Sequence, residues 1–243
     1  MKNQTIFRDP PENTPATTSI NLLNYWQLLR FFWIRWQCYT AETRCYSLKR
    51  AFDVIVSGML LLFLSPLFFS VAVLIRLDSP GNTFFYQNRV GRGGKIFRMW
   101  KFRSMYLDAE KRKAELMANN EMAGGVIFKI KHDPRITPIG RFIRKYSIDE
   151  LPQLLNVFLG DMSLVGPRPP VPSEVAVYTA YQRQRLAVTP GITCIWQVSG
   201  RSELPFVQQV EMDLLYINTQ SFWLDIVLLF KTIPAVMGAK GAY

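Results

Sequence analysis

From Val54 to Ile75 the chain reads VIVSGMLLLFLSPLFFSVAVLI, 22 residues without a charge. That length suffices for one helix to span the hydrocarbon core of a bilayer. Ser65-Pro66 interrupts it near the middle, where proline removes a helical hydrogen bond and its ring clashes with the preceding turn, so a kink is expected. Charges of one sign flank both ends: Arg44, Lys49 and Arg50 before, then Arg76, Arg89, Arg92, Lys95, Arg98, Lys101 and Arg103 after. Positive flanks favour the cytoplasmic side, so both ends of the run are expected there. A helix-break-helix that enters and leaves one leaflet satisfies both flanks, whereas a straight span translocates one of them. The alternatives are a straight span and a buried helix of a soluble protein. Ser65 is placed to take up backbone polarity freed at the kink. The run begins too far from residue 1, and lacks the small-residue cleavage pattern, to be a cleaved signal peptide.

Positive charge is concentrated around this run. Residues 46–150 hold eighteen Lys/Arg against nine Asp/Glu, which accounts for nine of the net eleven positive charges in the 243-residue chain. Such a block argues for an anionic partner: acidic lipid headgroups, phosphorylated ligands or nucleic acid. Cys38, Cys45 and Cys194 form no close metal-type pair, and an odd count discourages a disulfide framework. His132 is the only histidine, which leaves little for a Ser-His-Asp triad or a histidine-rich zinc site. Within Lys-His-Asp-Pro-Arg it reads as a polar loop residue.

The organisation read from the pattern is α+β. Residues 1–20, with Pro10, Pro11 and Pro15, suggest a disordered tail. Residues 21–45 form an aromatic amphipathic segment with Trp26, Trp33 and Trp36, suited to the headgroup level or to packing on the protein's own body. Residues 46–78 are the broken membrane helix, and 79–243 a cytoplasmic domain. In that domain Thr83–Asn88 and Lys95–Phe102 read as a hairpin around Gly91–Gly94. A helix is expected over Asp108–Ala118, then a flexible connection over Asn119–Gly125 and a strand over Val126–Lys131. Ser173–Val188 reads as one helix, Thr189–Thr193 as a turn, and Pro205–Asn218 and Phe222–Met237 as amphipathic helices. Phe222, Trp223, Ile226, Phe230 and Ile233 give the last a broad apolar face, for the core or for a membrane surface.

Two adjacent carboxylates, Asp149 and Glu150, carry the clearest chemical signal. Ser147-x-x-Glu150 fits a capping box, and acidic residues suit a first helical turn. The same end of a helix welcomes phosphate. A structural cap and a catalytic pair therefore both fit, with Glu150 capping while Asp149 points outward. Arg141, Arg144 and Lys145 load the approach with positive charge, which favours an ionised carboxylate and a bound pyrophosphate. Lys101-Phe-Arg103 is either a solvated strand face or a phosphate grip. Arg168 lies between Pro167 and Pro169, which restrict its backbone and lower the entropy lost on binding. Arg201, after Gly200, reads on spacing alone as a surface arginine.

Several motifs occur in one order: the Ser65-Pro66 broken helix, Lys101-Phe-Arg103-Ser-Met, Ser147-Ile-Asp149-Glu150-Leu-Pro-Gln, Gly160-Asp161-Met-Ser-Leu-Val-Gly-Pro-Arg168-Pro, Pro190-Gly191-Ile-Thr and Ser199-Gly200-Arg201. Over residues 47–243 the chain resembles the bacterial sugar transferase family, the monotopic phosphoglycosyl transferases that act on polyprenol phosphate. The resemblance implies transfer of sugar-1-phosphate from a UDP-sugar to undecaprenyl phosphate, with release of UMP, at the start of exopolysaccharide, capsule or O-antigen assembly. It implies that Asp149 is a nucleophile forming a phosphosugar-aspartyl intermediate, and that Glu150 positions a metal or handles a proton. Asp149 and Glu150 are the implied ligands of Mg²⁺, and Lys101, Arg103, Arg168 and Arg201 the implied phosphate-binding cations. The implied setting is the cytoplasmic face of the bacterial inner membrane, with lipids and no nucleic acid as partners; homo-oligomerisation stays open. Glucose or galactose is the expected sugar, and N-acetylated sugars stay open. Longer members carry additional N-terminal membrane helices and a further domain, and the present chain has only the aromatic segment in their place. The competing reading is a non-catalytic membrane-associated module that binds anionic lipid or polyanions, with Asp149-Glu150 serving only as a cap.

Overall fold

The computed structural model describes residues 46–109, 111–112, 133–200 and 204–238, all within one compact unit running from Tyr46 to Tyr243. The tail and aromatic segment over 1–45, nearly all of the expected structure between 110 and 132, His132 and Arg201 lie outside the described residues.

The uncharged run forms two helices, α1 (Tyr46–Phe63) and α2 (Ser65–Asp78), bent by 59° at Leu64. The bend has a local cause. Pro66 has no N–H to give to the carbonyl four residues earlier, and the Ser65 hydroxyl donates to that same Leu62 oxygen at 2.8 Å. The helical ladder resumes from Phe68 N–H to Leu64 O at 2.9 Å. Among the described residues no single helix is long and apolar enough to cross a membrane; this bent pair passes that test only as a pair, by length and composition. Around the bend Leu62 and Phe63 are 78% and 80% exposed, and Phe69 and Leu77 are likewise open. One face of α1 is inward: Phe52, Val56 and Leu60 pack on the main core of Phe97, Met99, Val157, Met162 and Tyr216.

Strands β1 (Phe84–Val90) and β2 (Ile96–Phe102) form the expected antiparallel hairpin, in register from Phe84 opposite Phe102 to Val90 opposite Ile96. Gly93 and Gly94, at φ +65° and +84°, supply left-handed backbone in the connection. Beyond it lie α3 (Pro138–Lys145), a 3₁₀ turn over Ile148–Glu150, and α4 (Gln153–Leu159). Two three-residue strands that the sequence does not announce, β3 (Ser163–Val165) and β4 (Gly191–Thr193), pair in parallel. A Cβ on Gly191 would collide with the backbone at Gly166, so only glycine permits this approach.

The single helix expected over Ser173–Val188 is instead α5 (Pro172–Ala176), α6 (Ala180–Arg183) and a 3₁₀ turn over Gln184–Ala187. Thr179 is the reason: its side chain accepts from Gln182 N–H while the Gln182 side chain accepts from Thr179 N–H, a capping box that starts a new helix. Then α7 (Ile195–Ser199), α8 (Phe206–Thr219) and α9 (Phe222–Met237) complete the described unit, the last two close to expectation. The structure is thus mixed, helices with two small sheets.

Polar groups from α1 clip it to this body. Lys49 bridges Asp225 on α9 at 2.5 Å and the Val165 carbonyl at 3.1 Å, Tyr216 donates to both Asp225 and Val165, and Asp53 accepts from Leu164 N–H. Arg50 donates to the Val157 and Phe158 carbonyls at the end of α4.

Candidate active site

The expected capping box is not made. Ser147 sits in left-handed backbone at φ +54° and its side chain caps nothing. Asp149 and Glu150 occupy the 3₁₀ turn, and α4 begins only at Gln153 with Pro152 at its cap. Only the main chain spans the motif, through Glu150 N–H to Ser147 O at 3.1 Å. Glu150 is drawn instead to Lys101, whose Nζ lies 2.6 Å from Oε1.

Lys101 reaches it because β2 and α4 are stitched together by Asn156, a residue the sequence reading passed over. Its Oδ1 accepts from Trp100 N–H at 3.0 Å and its Nδ2 donates to Arg98 O at 2.7 Å. One side chain thus satisfies both main-chain groups beside Lys101, and its own carbonyl accepts from Gly160, Asp161 and Met162 as α4 ends. The signal was a buried amide on an apolar helix face, recognisable only once its partner strand is known.

The two acids differ electrostatically. Asp149 is buried, at 8% exposure, and burial pushes its carboxyl up to about 6; Lys101 and Arg144 oppose the rise, while Glu150 adds to it. For Glu150 burial also works against ionisation, but Lys101, Arg168 and Arg89 outweigh it and hold the carboxyl down to about 2. Of the cations expected to favour ionisation, Arg141, Arg144 and Lys145, only Arg144 is among the main influences, and it acts on Asp149, whose desolvation exceeds the attraction it receives; the cations that hold Glu150 ionised are Lys101, Arg168 and Arg89. Different environments for adjacent acids are a mark of acid-base or nucleophilic chemistry.

The expected cations separate into groups. Lys101 pairs directly with Glu150, and the charge of Arg168 helps to hold that carboxyl down. Arg103 is not brought there: its guanidinium donates to the Pro80 and Ser79 carbonyls at 2.6 and 2.7 Å and to Ser79 Oγ at 3.0 Å, and so holds the turn that leaves α2. Arg201 lies outside the described residues. Arg89, read in the sequence only as flanking charge, is a further member. It is buried, donates to Pro169 O at 2.9 Å and Gln87 Oε1 at 2.7 Å, and burial together with neighbouring Arg168 pulls its pKa down to about 10 against the pull of Glu174 and Glu150.

No group of three or more metal-ligating side chains occurs among the described residues. The positive charge of Lys101 and Arg168 near a buried carboxyl suits the site to an anion.

A model of the bacterial sugar transferase family matches residues 44–239. The galactosyl transferase CpsE of Streptococcus agalactiae serotype III is 48% identical over 190 residues, 78% of this chain and 40% of that protein. An undecaprenyl-phosphate galactose phosphotransferase of Salmonella typhimurium is 44% identical over 213 residues, 86% of this chain and 44% of its own length. The exopolysaccharide production protein ExoY of Sinorhizobium fredii is 39% identical over 198 residues, 80% of this chain and 88% of ExoY. The chain thus spans less than half of the first two relatives and most of the third.

Proposed function

The chain belongs to the bacterial sugar transferase family, and we propose that it transfers sugar-1-phosphate from a UDP-sugar to undecaprenyl phosphate, with Asp149 as nucleophile. The observation that carries this reading is the unequal pair: a buried Asp149 with its carboxyl raised to about 6, next to a Glu150 locked to Lys101 at 2.6 Å. A carboxylate short of solvent, and with no ion-pair partner among the described residues, is a better nucleophile than one already neutralised.

In the first displacement an Asp149 carboxylate oxygen bonds to the sugar-bearing phosphorus, the bond from that phosphorus to the bridging oxygen breaks, and UMP leaves with the electron pair. In the second, a phosphate oxygen of the lipid attacks the same phosphorus and the acyl-phosphate bond breaks, which restores Asp149 and yields the lipid diphosphosugar. Lys101 and Arg168 neutralise charge on the transferred group; Arg201 is kept as a further phosphate ligand. Two adjacent carboxylates with substrate phosphate oxygens suit Mg²⁺, which needs few protein ligands; Asp149 and Glu150 would hold it, and it would supply charge neutralisation on the diphosphate.

The names of two relatives point to galactose, and that sugar is the first choice for this chain. The broken helix α1–α2 lies in one leaflet of the bacterial inner membrane and holds the dyad at the cytoplasmic face, where a water-soluble donor meets a lipid acceptor. The competing non-catalytic reading rests on the basic charge block alone and gave the acidic pair only a capping role, which the pair does not fill. Asp149→Asn decides between them: it should abolish UMP release from UDP-galactose and the isolable phosphosugar adduct, with the circular dichroism spectrum unchanged. Near-native turnover in that variant would sink the covalent mechanism.

A further inference from the structure

Arg168 sits in a run, Gly166-Pro167-Arg168-Pro169-Pro170, with unusually few main-chain handles, because its three prolines have no N–H to donate. Gly166 N–H donates to Thr193 O at 2.9 Å, and the proline stretch beyond it relies on donors that reach its carbonyls from outside. On the near side β4 does so, with Gly191 N–H on Pro167 O at 2.9 Å. On the far side β1 does so twice: Val90 N–H reaches Pro170 O at 2.9 Å, and Arg89 Nη1 reaches Pro169 O at 2.9 Å.

We infer that Arg89 is a positioning residue, which fixes the proline-bounded loop so that Arg168 is presented to the anion beside Glu150. The inference rests on the reading of Arg168 as a phosphate ligand. Packing alone is a poor account of Arg89. A guanidinium buried to 8% exposure with Nε unpartnered is an expensive way to hold one carbonyl, particularly next to a second arginine. An apolar side chain at the end of this strand would fill the same space without desolvating a charge. What an apolar residue cannot do is donate to Pro169 O and at the same time place positive charge near Glu150, as Arg89 does. Gln87 completes the device: it accepts the second Nη group at 2.7 Å and fixes the plane of the guanidinium.

A positioning role is separable from a merely structural one because it acts through Arg168, so losing both residues should cost no more than losing Arg168. UMP release from UDP-galactose with undecaprenyl phosphate would be measured for Arg89→Met, Arg168→Met and the double variant. Arg89→Met should lower kcat/KM by roughly 10- to 100-fold in the native background, and by less than about twofold once Arg168 is gone. Multiplicative losses in the double variant, or an Arg89→Met variant as active as the native protein, would overturn the inference. Where Arg89→Met does not fold, Gln87→Met serves: it withdraws one anchor of the guanidinium without touching a charge, and a loss that persists in the Arg168→Met background counts equally against positioning. An Arg168→Met variant with native kinetics would instead remove the reading on which the inference stands, and an active Asp149→Asn variant would remove the covalent function itself.

Discussion

At the scale of single residues, the division of labour between Asp149 and Glu150 makes a pH signature. With its carboxyl raised from the ordinary 3.8 to about 6, Asp149 needs a higher pH than a surface aspartate to ionise, as the proposed nucleophile must. The donor kcat/KM should therefore rise about tenfold per pH unit below about 6 and level off above it. Each neighbour moves the limb in a known direction. Glu150→Gln removes a negative charge that raises Asp149 and shifts the limb to lower pH, while Lys101→Met removes a positive charge that lowers it and shifts the limb to higher pH. A limb that stays in place in both variants would show that Asp149 does not control it. Stability follows with its own sign. An acid raised on folding stabilises the fold below its unfolded pKa and loses that contribution as pH rises through the folded value, so Asp149 contributes most below about 4 and nothing above about 6. Glu150, held down to about 2, stabilises above its ordinary 4.5 and loses that contribution as pH falls through about 2. The thermal midpoint of the native protein should accordingly receive a falling contribution from Asp149 between about pH 4 and 6, and Asp149→Asn should remove it.

At the scale of elements, the distance between Lys101 and Glu150 is set by how α4 docks on β2, and Asn156 sets that docking. Its amide answers a main-chain donor at Trp100 and a main-chain acceptor at Arg98 in a place with almost no solvent, at 1% exposure. Asn156→Ala leaves both unpaired and should cost about 2–4 kcal/mol, read as a lowered thermal midpoint. Asn156→Asp should be no remedy, because a carboxylate cannot donate to Arg98 O. A native midpoint in the alanine variant would mean that the helix is held by its apolar face alone. This contact also shows where sequence reasoning stopped. The broken helix pair, the hairpin, α8 and α9 were legible because proline chemistry, alternation and helical spacing act within a few residues. The acidic pair was legible as a candidate but not as a conformation: Ser147-x-x-Glu150 matches a capping box, and Lys101, 49 positions away, takes Glu150 out of it. Asn156 and Arg89 were illegible for the same reason, since each acquires its meaning from a strand or loop 56 or 80 positions distant. Parallel pairing of β3 with β4 is also non-local, and three residues are too few to carry a period.

At the scale of the whole molecule, polar contacts made by α1 restrict how the protein can sit at a bilayer. Lys49 and Arg50 engage the body through Val165, Asp225 and the end of α4, so the start of α1 stays with the body of the protein. Arg103 ties the turn after α2 to the end of β2, so the exit from α2 stays there too. A straight passage through the membrane would separate these two attachments by the thickness of the hydrocarbon core, about 30 Å; a bend of 59° with exposed Leu62, Phe63 and Phe69 at its apex lets both remain on one side. Single cysteines at the exposed positions Leu48 and Asn82, in a background with Cys38 and Cys45 changed to serine, should react with an impermeant maleimide from the same side of sealed inner-membrane vesicles. Labelling from opposite sides would rule out the re-entrant arrangement. Pro66→Ala restores the N–H that can reach Leu62 O and removes the ring that blocks a continuous helix. If the proline sets the topology, part of the Pro66→Ala population should label from opposite sides; if the attachments of Lys49, Arg50 and Arg103 set it, labelling should stay on one side. The second outcome is the one these contacts predict, because straightening the helix would break the Lys49–Asp225 ion pair at one end and hydrogen bonds at both ends to regain a single backbone hydrogen bond.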